Sequence, residues 1–263
     1  GIVILGIVGL VFVSDIMNGI ASAQADKLED ATGIDRHVEN IAFGPGEKLT
    51  FDIGYGFINA GTATLEVVDL IEYNERPCHQ IVTTARSNKF FSSFYKVEDR
   101  VESLIDAIGI FSWRFEKNLS EGSYRSVKVC EFDQENNLVH YEDSTYDVGR
   151  YVQDALSAMY YVRTQDLNVG VSIFIDNFTD GKHYPLEVKV LKKETINIKA
   201  GKFDCLVVEP LLQSSGIFQH EERLTVWLTD DRLKLPVLMK SRVLVGSISA
   251  ELTDYKLGEI IDF

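Results

Sequence analysis

The dominant pattern along this chain is the alternation of apolar and polar residues, which is typical of half-buried β-strands. The first clear example lies between residues 49 and 57, where apolar side chains occupy every second position: Leu49, Phe51, Ile53, Tyr55 and Phe57. Further segments with this period follow to residue 257, and short polar turns such as Asp180-Gly181 and Ala200-Gly201 separate them. We expect separate strands over 183–191 and 192–199.

The number of these segments determines the predicted fold class. Short loops between successive strands indicate an antiparallel meander, and a sheet of roughly a dozen strands curls or splits rather than staying flat. The sequence therefore predicts a mainly β protein built on a strongly curved antiparallel sheet or a partly open β-barrel, with two packed sheets as the alternative.

One segment near the middle of the chain departs from the strand pattern. Between residues 151 and 163, apolar side chains recur at i, i+3, i+4, i+7 and i+8, which is one face of an α-helix: Val152, Ala155, Leu156, Met159 and Tyr160. A lone helix in a β protein must bury its apolar face against a sheet or in the mouth of a barrel. We therefore predict one central amphipathic helix over 151–163.

The first 25 residues have the pattern of a secretory signal peptide. Residues 1–13 are an unbroken apolar run, and Ala21-Ser22-Ala23-Gln24-Ala25 precedes the first dense charges at Asp26. The run is shorter than the roughly 20 apolar residues of a membrane span, and an uncleaved anchor is the alternative. No basic n-region precedes it, so we expect the sequence to begin inside the signal. No cysteine lies near the cleavage region, so we predict an exported protein without a lipid anchor.

The remaining chain is predicted to form one domain. Residues 26–45 are a polar lead-in that ends in the turn sequence Gly44-Pro45-Gly46, residues 46–258 form the β domain, and residues 259–263 are a tail. The length of 263 residues suits one large β domain as well as two small ones. Once the signal is removed, we expect no membrane span.

The charge and the cysteine count exclude several classes of protein. The net charge is −14, without a basic stripe, which disfavours binding to nucleic acid or to anionic headgroups. The three cysteines, Cys78, Cys130 and Cys205, are too few for a disulfide scaffold. Either one pair forms a disulfide and leaves a free thiol, or all three are buried as small apolar side chains.

The sequence contains no catalytic motif that we recognise. There is no G-x-S-x-G, no H-E-x-x-H and no phosphate-binding loop. The five histidines are scattered, one to a segment, so we predict no metal site and no cofactor. Asp230-Asp231 has the pattern of a turn at a strand end whose side chains accept backbone hydrogen bonds.

The candidate ligand-binding residues are large apolar side chains on or near the helix. We predict an apolar cavity beneath a helical lid, and ordinary core packing is the alternative. Arg163 is either a polar group at the cavity or a cation that stabilises the helix C-terminus. The predicted set is Met159, Tyr160, Tyr161, Arg163, Trp227 and Phe94.

Several short segments of this sequence resemble one known family. The clearest are Leu156-Ser157-Ala158-Met159-Tyr160-Tyr161-Val162-Arg163, Gly201-Lys202-Phe203-Asp204-Cys205 with Glu209-Pro210, and Trp227-Leu228-Thr229-Asp230-Asp231. Together with Ala60-Gly61-Thr62-Ala63 and Pro236-Val237, they resemble the domain-of-unknown-function 3108 family from about residue 46 to 258. The resemblance implies an exported Gram-negative β protein, which we therefore expect in the periplasm, and it assigns no activity and no catalytic residues.

Three functions remain open from the sequence. The first is a non-enzymatic envelope protein that binds an apolar or amphiphilic, lipid-like ligand inside the curved sheet. The second is a hydrolase or lyase that cleaves envelope glycan with paired carboxylates, for which a cleft and a raised carboxyl pKa are the expected signs. The third is a structural or outer-membrane-associated β-barrel protein. The identity of the ligand and the oligomeric state also remain open.

Overall fold

The computed structural model describes residues 33–211, 223–242 and 246–263, where it contains one antiparallel sheet of 14 strands and two helices. The predicted signal peptide, residues 1–25, lies outside the described residues. The first eight strands form a meander: β1 (Lys48–Tyr55), β2 (Ile58–Tyr73), β3 (Arg76–Ser87), β4 (Glu98–Asp106), β5 (Ser112–Glu121), β6 (Tyr124–Asp133), β7 (Leu138–Tyr141) and β8 (Ser144–Asp147).

A second meander of six strands completes the sheet: β9 (Ser172–Thr179), β10 (Lys182–Ile198), β11 (Gly201–Leu211), β12 (Leu224–Thr229), β13 (Pro236–Arg242) and β14 (Ser247–Lys256). The last strand pairs with the first, so β1 lies between β2 and β14, and the sheet edges are β8 and β9. The prediction of a mainly β fold with a strongly curved, partly open antiparallel sheet is confirmed.

The helices are α1 (Lys89–Ser92), which connects β3 to β4, and α2 (Ala155–Thr164), which follows β8. The sequence pattern predicts α2 and does not predict α1. Leu156, Tyr160 and Val162 of α2 belong to the same buried core as side chains from both meanders. The sheet therefore curves around the central helix, as predicted.

β-Bulges bend the two longest strands. The register shifts between Val67 and Asp69 in the 16-residue β2, and between Val190 and Lys192 in the 17-residue β10. A bulge adds one residue to a strand and increases its local bend and twist. The strand break predicted between residues 191 and 192 is therefore wrong, because β10 continues through the bulge to Ile198.

The segment before α2 brings the two sheet edges together. The backbone N–H of Gln153 donates to the Asp176 carbonyl of β9, and the Phe178 N–H donates to the Gln153 carbonyl, both at 2.9 Å. From the opposite edge, the rings of Tyr141 and Tyr146 lie 6.0 and 5.0 Å from the Phe178 ring. The hydrophobic core is therefore continuous across the gap between β8 and β9.

The alternation predicted for the first strand ends earlier than expected. Leu49, Phe51 and Ile53 are buried as predicted, but Phe57 is fully exposed at the tip of the β1–β2 hairpin. The strand ends because Gly56 adopts a positive φ of 59°, which places the next residue in the turn.

The lead-in also contributes to the core. Ala42 and Phe43 are buried, and the Phe43 ring lies 4.6 Å from the ring of Tyr160 on α2. Gly44 passes so close to the C-terminal segment that an added Cβ would lie 1.7 Å from the Glu259 carbonyl oxygen. The described part of the lead-in is therefore packed on the β domain.

Candidate functional site

A buried carboxylate determines where α2 begins. Asp154 is the N-cap: its Oδ1 accepts hydrogen bonds from the backbone N–H of Leu156 at 2.7 Å and of Ser157 at 2.9 Å, while its own N–H donates to the Ser157 hydroxyl at 2.8 Å. This reciprocal pair is a capping box. The predicted helix start at residue 151 is therefore wrong by four residues, since the cap holds Asp154 in an extended conformation.

A buried ion pair holds the other end of α2. The Nη1 and Nη2 atoms of Arg163 each donate to the Glu47 carboxylate at 2.7 Å, and further bonds reach the carbonyls of Ala42 and Leu233 at 3.1 and 3.2 Å. Burial lowers the pKa of Arg163, but the adjacent carboxylate raises it more, so the pKa lies above its ordinary value. Arg163 is thus a structural cation that joins the helix to the lead-in and to β1.

Between these two ends, α2 covers one side of an apolar cleft. The cleft contains about 680 Å³ free of protein atoms, a volume that includes its open mouth. Little of this space is wide enough for a water molecule, so the cleft is narrow. It is lined by Ala155, Ala158, Met159, Val162, Asn177, Thr179, Tyr184, Leu186, Val188, Val208, Pro210, Leu224, Val226, Leu228 and Met239.

The few polar groups of the cleft come from β9 and the beginning of β10. The amide nitrogen of Asn177 donates to the Thr179 hydroxyl at 3.1 Å, and Tyr184 lines the cleft beside them. All three residues lie near the β9–β10 turn, whereas the rest of the lining is aliphatic except for Pro210 and two methionines. Such a cleft can accommodate a thin apolar chain with a polar group at one end.

Of the six predicted binding residues, only Met159 lines this cleft. Tyr160 is fully buried on another side of α2, with its hydroxyl 3.4 Å from the Glu47 carboxylate, and Arg163 belongs to the same network. Tyr161 lies under the guanidinium of Arg36, whose Cζ is 4.3 Å from the ring centroid. The structure therefore does not bring the aromatic residues of the helix together at the cleft.

Trp227 is on the outer face of the sheet, and Phe94 is in the connection between α1 and β4. The indole N–H of Trp227 donates to Glu194 at 2.9 Å, and Lys240 lies 5.5 Å from its ring. Its neighbours in β12 face inward and line the cleft, because successive side chains of a strand point to opposite faces. Phe94 is 62% exposed beside α1.

The alternation within the strands contains the signal for the lining residues that the sequence prediction missed. Leu186 and Val188 stand two apart in β10, as do Val226 and Leu228 in β12, and all four are buried. The period therefore identifies them as inward-facing. It does not show that both pairs face the same side of α2, because the pairing of distant strands is not encoded in the local period.

One pair of carboxyl groups titrates together. Asp99 of β4 and Glu121 at the end of β5 share a hydrogen bond, and burial followed by the charge of Asp99 raises the pKa of Glu121 to about 7. The pKa of Asp99 is also raised, mainly by burial. Neither residue lines the apolar cleft.

A second, more polar groove lies elsewhere on the sheet. It is lined by Asn74, Glu75, Trp113, Glu131, Phe132, Asp133, Glu135 and His140. Glu131 accepts hydrogen bonds from Tyr73 and Arg114, both at 2.9 Å, and Asp133 accepts from the backbone of Asn136. These carboxylates thus stabilise local structure. Asp99 and Glu121, whose pKa values are raised, do not line this groove.

Asp231 closes the turn that follows β12, as predicted. Its Oδ1 accepts hydrogen bonds from the Thr229 hydroxyl at 2.8 Å and from the backbone N–H of Leu233 and Lys234 at 2.9 and 3.1 Å.

In the described part of the chain, no group of three or more His, Cys, Asp or Glu side chains is placed to hold a metal ion. Burial lowers the pKa of His79 to about 4.

The three cysteines are free and buried. Of the two alternatives that the sequence left open, the structure therefore shows three buried small apolar side chains and no disulfide. Separately, neither helix in the described residues has the length and apolar character that crossing a membrane requires.

Comparisons with solved structures identify the fold. The chain is similar to a β-barrel-like protein of the domain of unknown function DUF1849 from Brucella abortus, with 11% identity, a TM-score of 0.52, and coverage of 84% of this chain and 100% of that one. Two more distant similarities are to a candidate lipoprotein from Parabacteroides distasonis and a candidate exported protein with a YmcC-like fold from Bacteroides fragilis. Both are 12% identical, with TM-scores of 0.38 and 0.33 and coverage of 85% and 84% of this chain and 100% of each of those chains.

Comparisons of sequence identify the family. No curated protein matches the chain. A family model described as "Protein of unknown function (DUF3108)" matches residues 50–253, which include every strand except the ends of β1 and β14. The chain therefore belongs to the DUF3108 family of proteins of unknown function.

Proposed function

We propose that this protein is a non-enzymatic component of the bacterial envelope that binds an apolar or amphiphilic molecule in the cleft beneath α2. The observation that supports this proposal most directly is the aliphatic lining that α2 shares with β10–β13. Small-molecule sites are typically concave and mostly apolar, with a few polar groups that orient the ligand. The narrow cleft beneath a capped helix has these properties.

The shape and lining of the cleft favour a ligand with an acyl-like chain. A chain of methylene groups gains roughly 0.8 kcal/mol for each group transferred from water to an apolar site. The side chains of Asn177, Thr179 and Tyr184 offer hydrogen bonds near one end of the cleft. We therefore propose an amphiphile whose chain lies beneath α2 and whose polar group lies near the β9–β10 turn.

The proposed location is the periplasm. It rests on the apolar run of residues 1–13 and the small residues 21–25, which have the pattern of a signal peptide. Cleavage after Ala25 in a Gram-negative host, detected by mass spectrometry of the mature N-terminus in a periplasmic extract, is the expected result. Intact protein in the membrane fraction would contradict it.

The cleft is tested by native mass spectrometry of protein purified without detergent and by titration with the apolar fluorophore 1-N-phenylnaphthylamine. We expect a co-purifying amphiphile, or saturable uptake of the fluorophore by the emptied protein. Val226→Phe places a ring in the cleft and should weaken uptake by about tenfold or more, which corresponds to roughly 1.4 kcal/mol.

The matched control is Val127→Phe, which adds the same ring at a side chain that is 63% exposed. Overpacking of a core position typically costs about 1–3 kcal/mol, so urea unfolding must show that Val226→Phe remains folded under the assay conditions. Unsaturable uptake by the wild type, or equal uptake by the wild type and Val226→Phe, would contradict the proposal.

A second candidate function, cleavage of envelope glycan, has one of its two expected signs, a raised carboxyl pKa, although Glu121 lines neither of the two cavities described above. A carboxyl group whose pKa is near 7 is suited to general acid catalysis, and Glu121 is such a group. The candidate is tested by release of new reducing ends from isolated envelope glycan. Cleavage that Glu121→Gln abolishes would replace the binding proposal, and the absence of cleavage by the wild type would dismiss the second candidate.

A further inference from the structure

Two exposed aromatic rings project from α1 and from the residues directly after it, at one end of the sheet. Phe90 is 67% exposed and Phe94 is 62% exposed, and their ring centroids lie 5.3 Å apart. Phe91 is buried beneath them, with its ring 5.6 and 5.5 Å from the other two, and its N–H donates to Asn88 at 3.0 Å. The two exposed rings are therefore held by an anchored turn.

The tip of the β1–β2 hairpin adds a third ring beside α1. The Asn88 side chain donates to the Asn59 carbonyl at 2.7 Å, and the Asn88 N–H donates to the Ala60 carbonyl at 2.9 Å. These bonds hold the hairpin against α1, and the hairpin carries the fully exposed ring of Phe57 at its tip. We refer to Phe57, Phe90 and Phe94 as the aromatic tip.

Four basic side chains lie on α1 or on the strands and turns next to it, although the chain as a whole has a net charge of −14. Lys89 lies within α1, and Lys96 follows it and forms an ion pair with Glu98 at 2.7 Å. Arg86 stands opposite Glu98 in the β3–β4 register. The pKa of Glu98 is accordingly lowered, first by its hydrogen bond to Lys96 and further by the charges of Arg86 and Arg125.

Arg125 reaches this cluster through the β5–β6 turn. It donates to the Gly122 carbonyl at 2.9 Å, and the Gly122 N–H donates to the Lys96 carbonyl at 2.7 Å. The acidic groups nearby are Glu98 and the coupled pair of Asp99 and Glu121. Four basic side chains therefore stand against three acidic ones, which leaves the region with a positive balance.

We infer that the aromatic tip docks onto an anionic lipid surface, with its three rings in the interface and Arg86, Lys89, Lys96 and Arg125 at the lipid phosphates. Aromatic rings partition into the interfacial region of a bilayer, and adjacent basic side chains add attraction to anionic headgroups. The exposed rings gain contact with lipid at little conformational cost, because Phe91 and Asn88 already hold α1.

The position of the aromatic tip is consistent with this role. The hairpin tip at residues 56–57 and α1 lie at the end of the sheet where β9 ends and β12 begins, and the cleft residues Thr179 and Leu224 lie at those two strand ends. Docking does not depend on the proposed ligand binding. The two are measured separately, on vesicles and with the fluorophore.

The test is flotation of the full chain with vesicles of phosphatidylcholine, with and without phosphatidylglycerol. We expect binding that phosphatidylglycerol strengthens and that salt weakens. The double substitution Phe90→Ser/Phe94→Ser should weaken binding by about tenfold, and Lys89→Glu/Lys96→Glu should remove the preference for phosphatidylglycerol.

Phe174→Ser is the matched control, since Phe174 on β9 is 68% exposed and lies outside the aromatic tip. It should bind vesicles like the wild type, and urea unfolding should show that all variants remain folded under the assay conditions. Failure of the wild type to bind, equal binding to both vesicle types, or an equal loss in Phe174→Ser would overturn the inference.

Discussion

At the scale of single residues, Asp154 combines a helix cap with a fully buried carboxylate. Two hydroxyls reach its Oδ2, with Ser103 donating at 2.6 Å and Ser112 donating as well, in addition to the two backbone donors of the capping box. Burial raises the pKa of Asp154 above its ordinary value, and these donors partly oppose the rise. The side chain therefore stabilises α2 only while its oxygens keep their partners.

We predict that Asp154→Ala lowers the free energy of unfolding by about 2–4 kcal/mol. The loss of a cap costs roughly 1 kcal/mol, and the buried hydroxyls left without an acceptor add about 1–3 kcal/mol. Urea unfolding measures the change. Ser157→Ala, which removes only one half of the capping box, should cost about 1 kcal/mol, and an equal loss in both variants would contradict the prediction.

The coupled pair of Asp99 and Glu121 makes stability depend on pH. Because the pKa of Glu121 rises from the ordinary 4.5 to about 7 on folding, the folded state binds more protons than the unfolded state between these values. Stability conferred by this group is therefore greatest below pH 4.5 and is lost as the pH rises through about 7.

We predict that Glu121→Gln flattens the pH dependence of stability between pH 4.5 and 7. Glu121 is partly exposed, so solvent screening reduces the effect to the order of 1 kcal/mol. Urea midpoints at intervals across this range measure it, with Glu98→Gln as a control at a carboxyl group whose pKa is lowered. Parallel curves for the wild type and Glu121→Gln would show the prediction to be wrong.

At the scale of elements, one ion pair connects α2 to three other parts of the chain. Arg163 contacts Glu47 directly before β1, the Ala42 carbonyl of the lead-in and the Leu233 carbonyl before β13. Its guanidinium also lies 5.4 Å from the Phe43 ring and 5.0 Å from the Tyr160 ring. The pair therefore positions the helix over the cleft from the end opposite to Asp154.

We predict that Arg163→Ala destabilises the fold by about 3–5 kcal/mol, since it leaves the Glu47 carboxylate buried without its cation. The double variant Glu47→Leu/Arg163→Leu should be more stable than Arg163→Ala, because no uncompensated charge remains. A double-mutant cycle by urea unfolding measures the coupling. Additive losses from the two single substitutions would contradict it.

At the scale of the whole molecule, all three cysteines are buried: Cys130 and Cys205 belong to the main core, and Cys78 belongs to a smaller cluster. Burial raises the pKa of Cys78 to about 12 and that of Cys205 to about 11, and it also raises the pKa of Cys130. The thiolate is the reactive form, so all three should be inert in the folded protein.

We predict that no thiol reacts with Ellman's reagent at pH 8 in the folded state and that all three react in urea. A reductant should not change the unfolding midpoint, because no disulfide contributes to stability. Reaction of one thiol in the native protein, or a lower midpoint in reductant, would contradict the burial of the cysteines.

The sequence by itself determined the local features of this protein. The period of two predicted the strands, the 3.6-residue spacing predicted the central helix, and the strand number with short turns predicted a curved antiparallel sheet, all of which the structure confirms. These features are predictable because the direction of a side chain within a strand or helix follows from its spacing. The exposed ring of Phe57 shows where prediction from the period fails, because the turn at Gly56 ends the strand before Phe57.

Only the tertiary structure decided which residues meet. It placed β14 beside β1, Glu47 against Arg163 across 116 residues of sequence, and Asp99 beside Glu121. It also turned Trp227 outward while its two neighbours line the cleft. These outcomes depend on contacts between distant segments and on bulges that shift register, and both arise from packing a curved sheet around one helix.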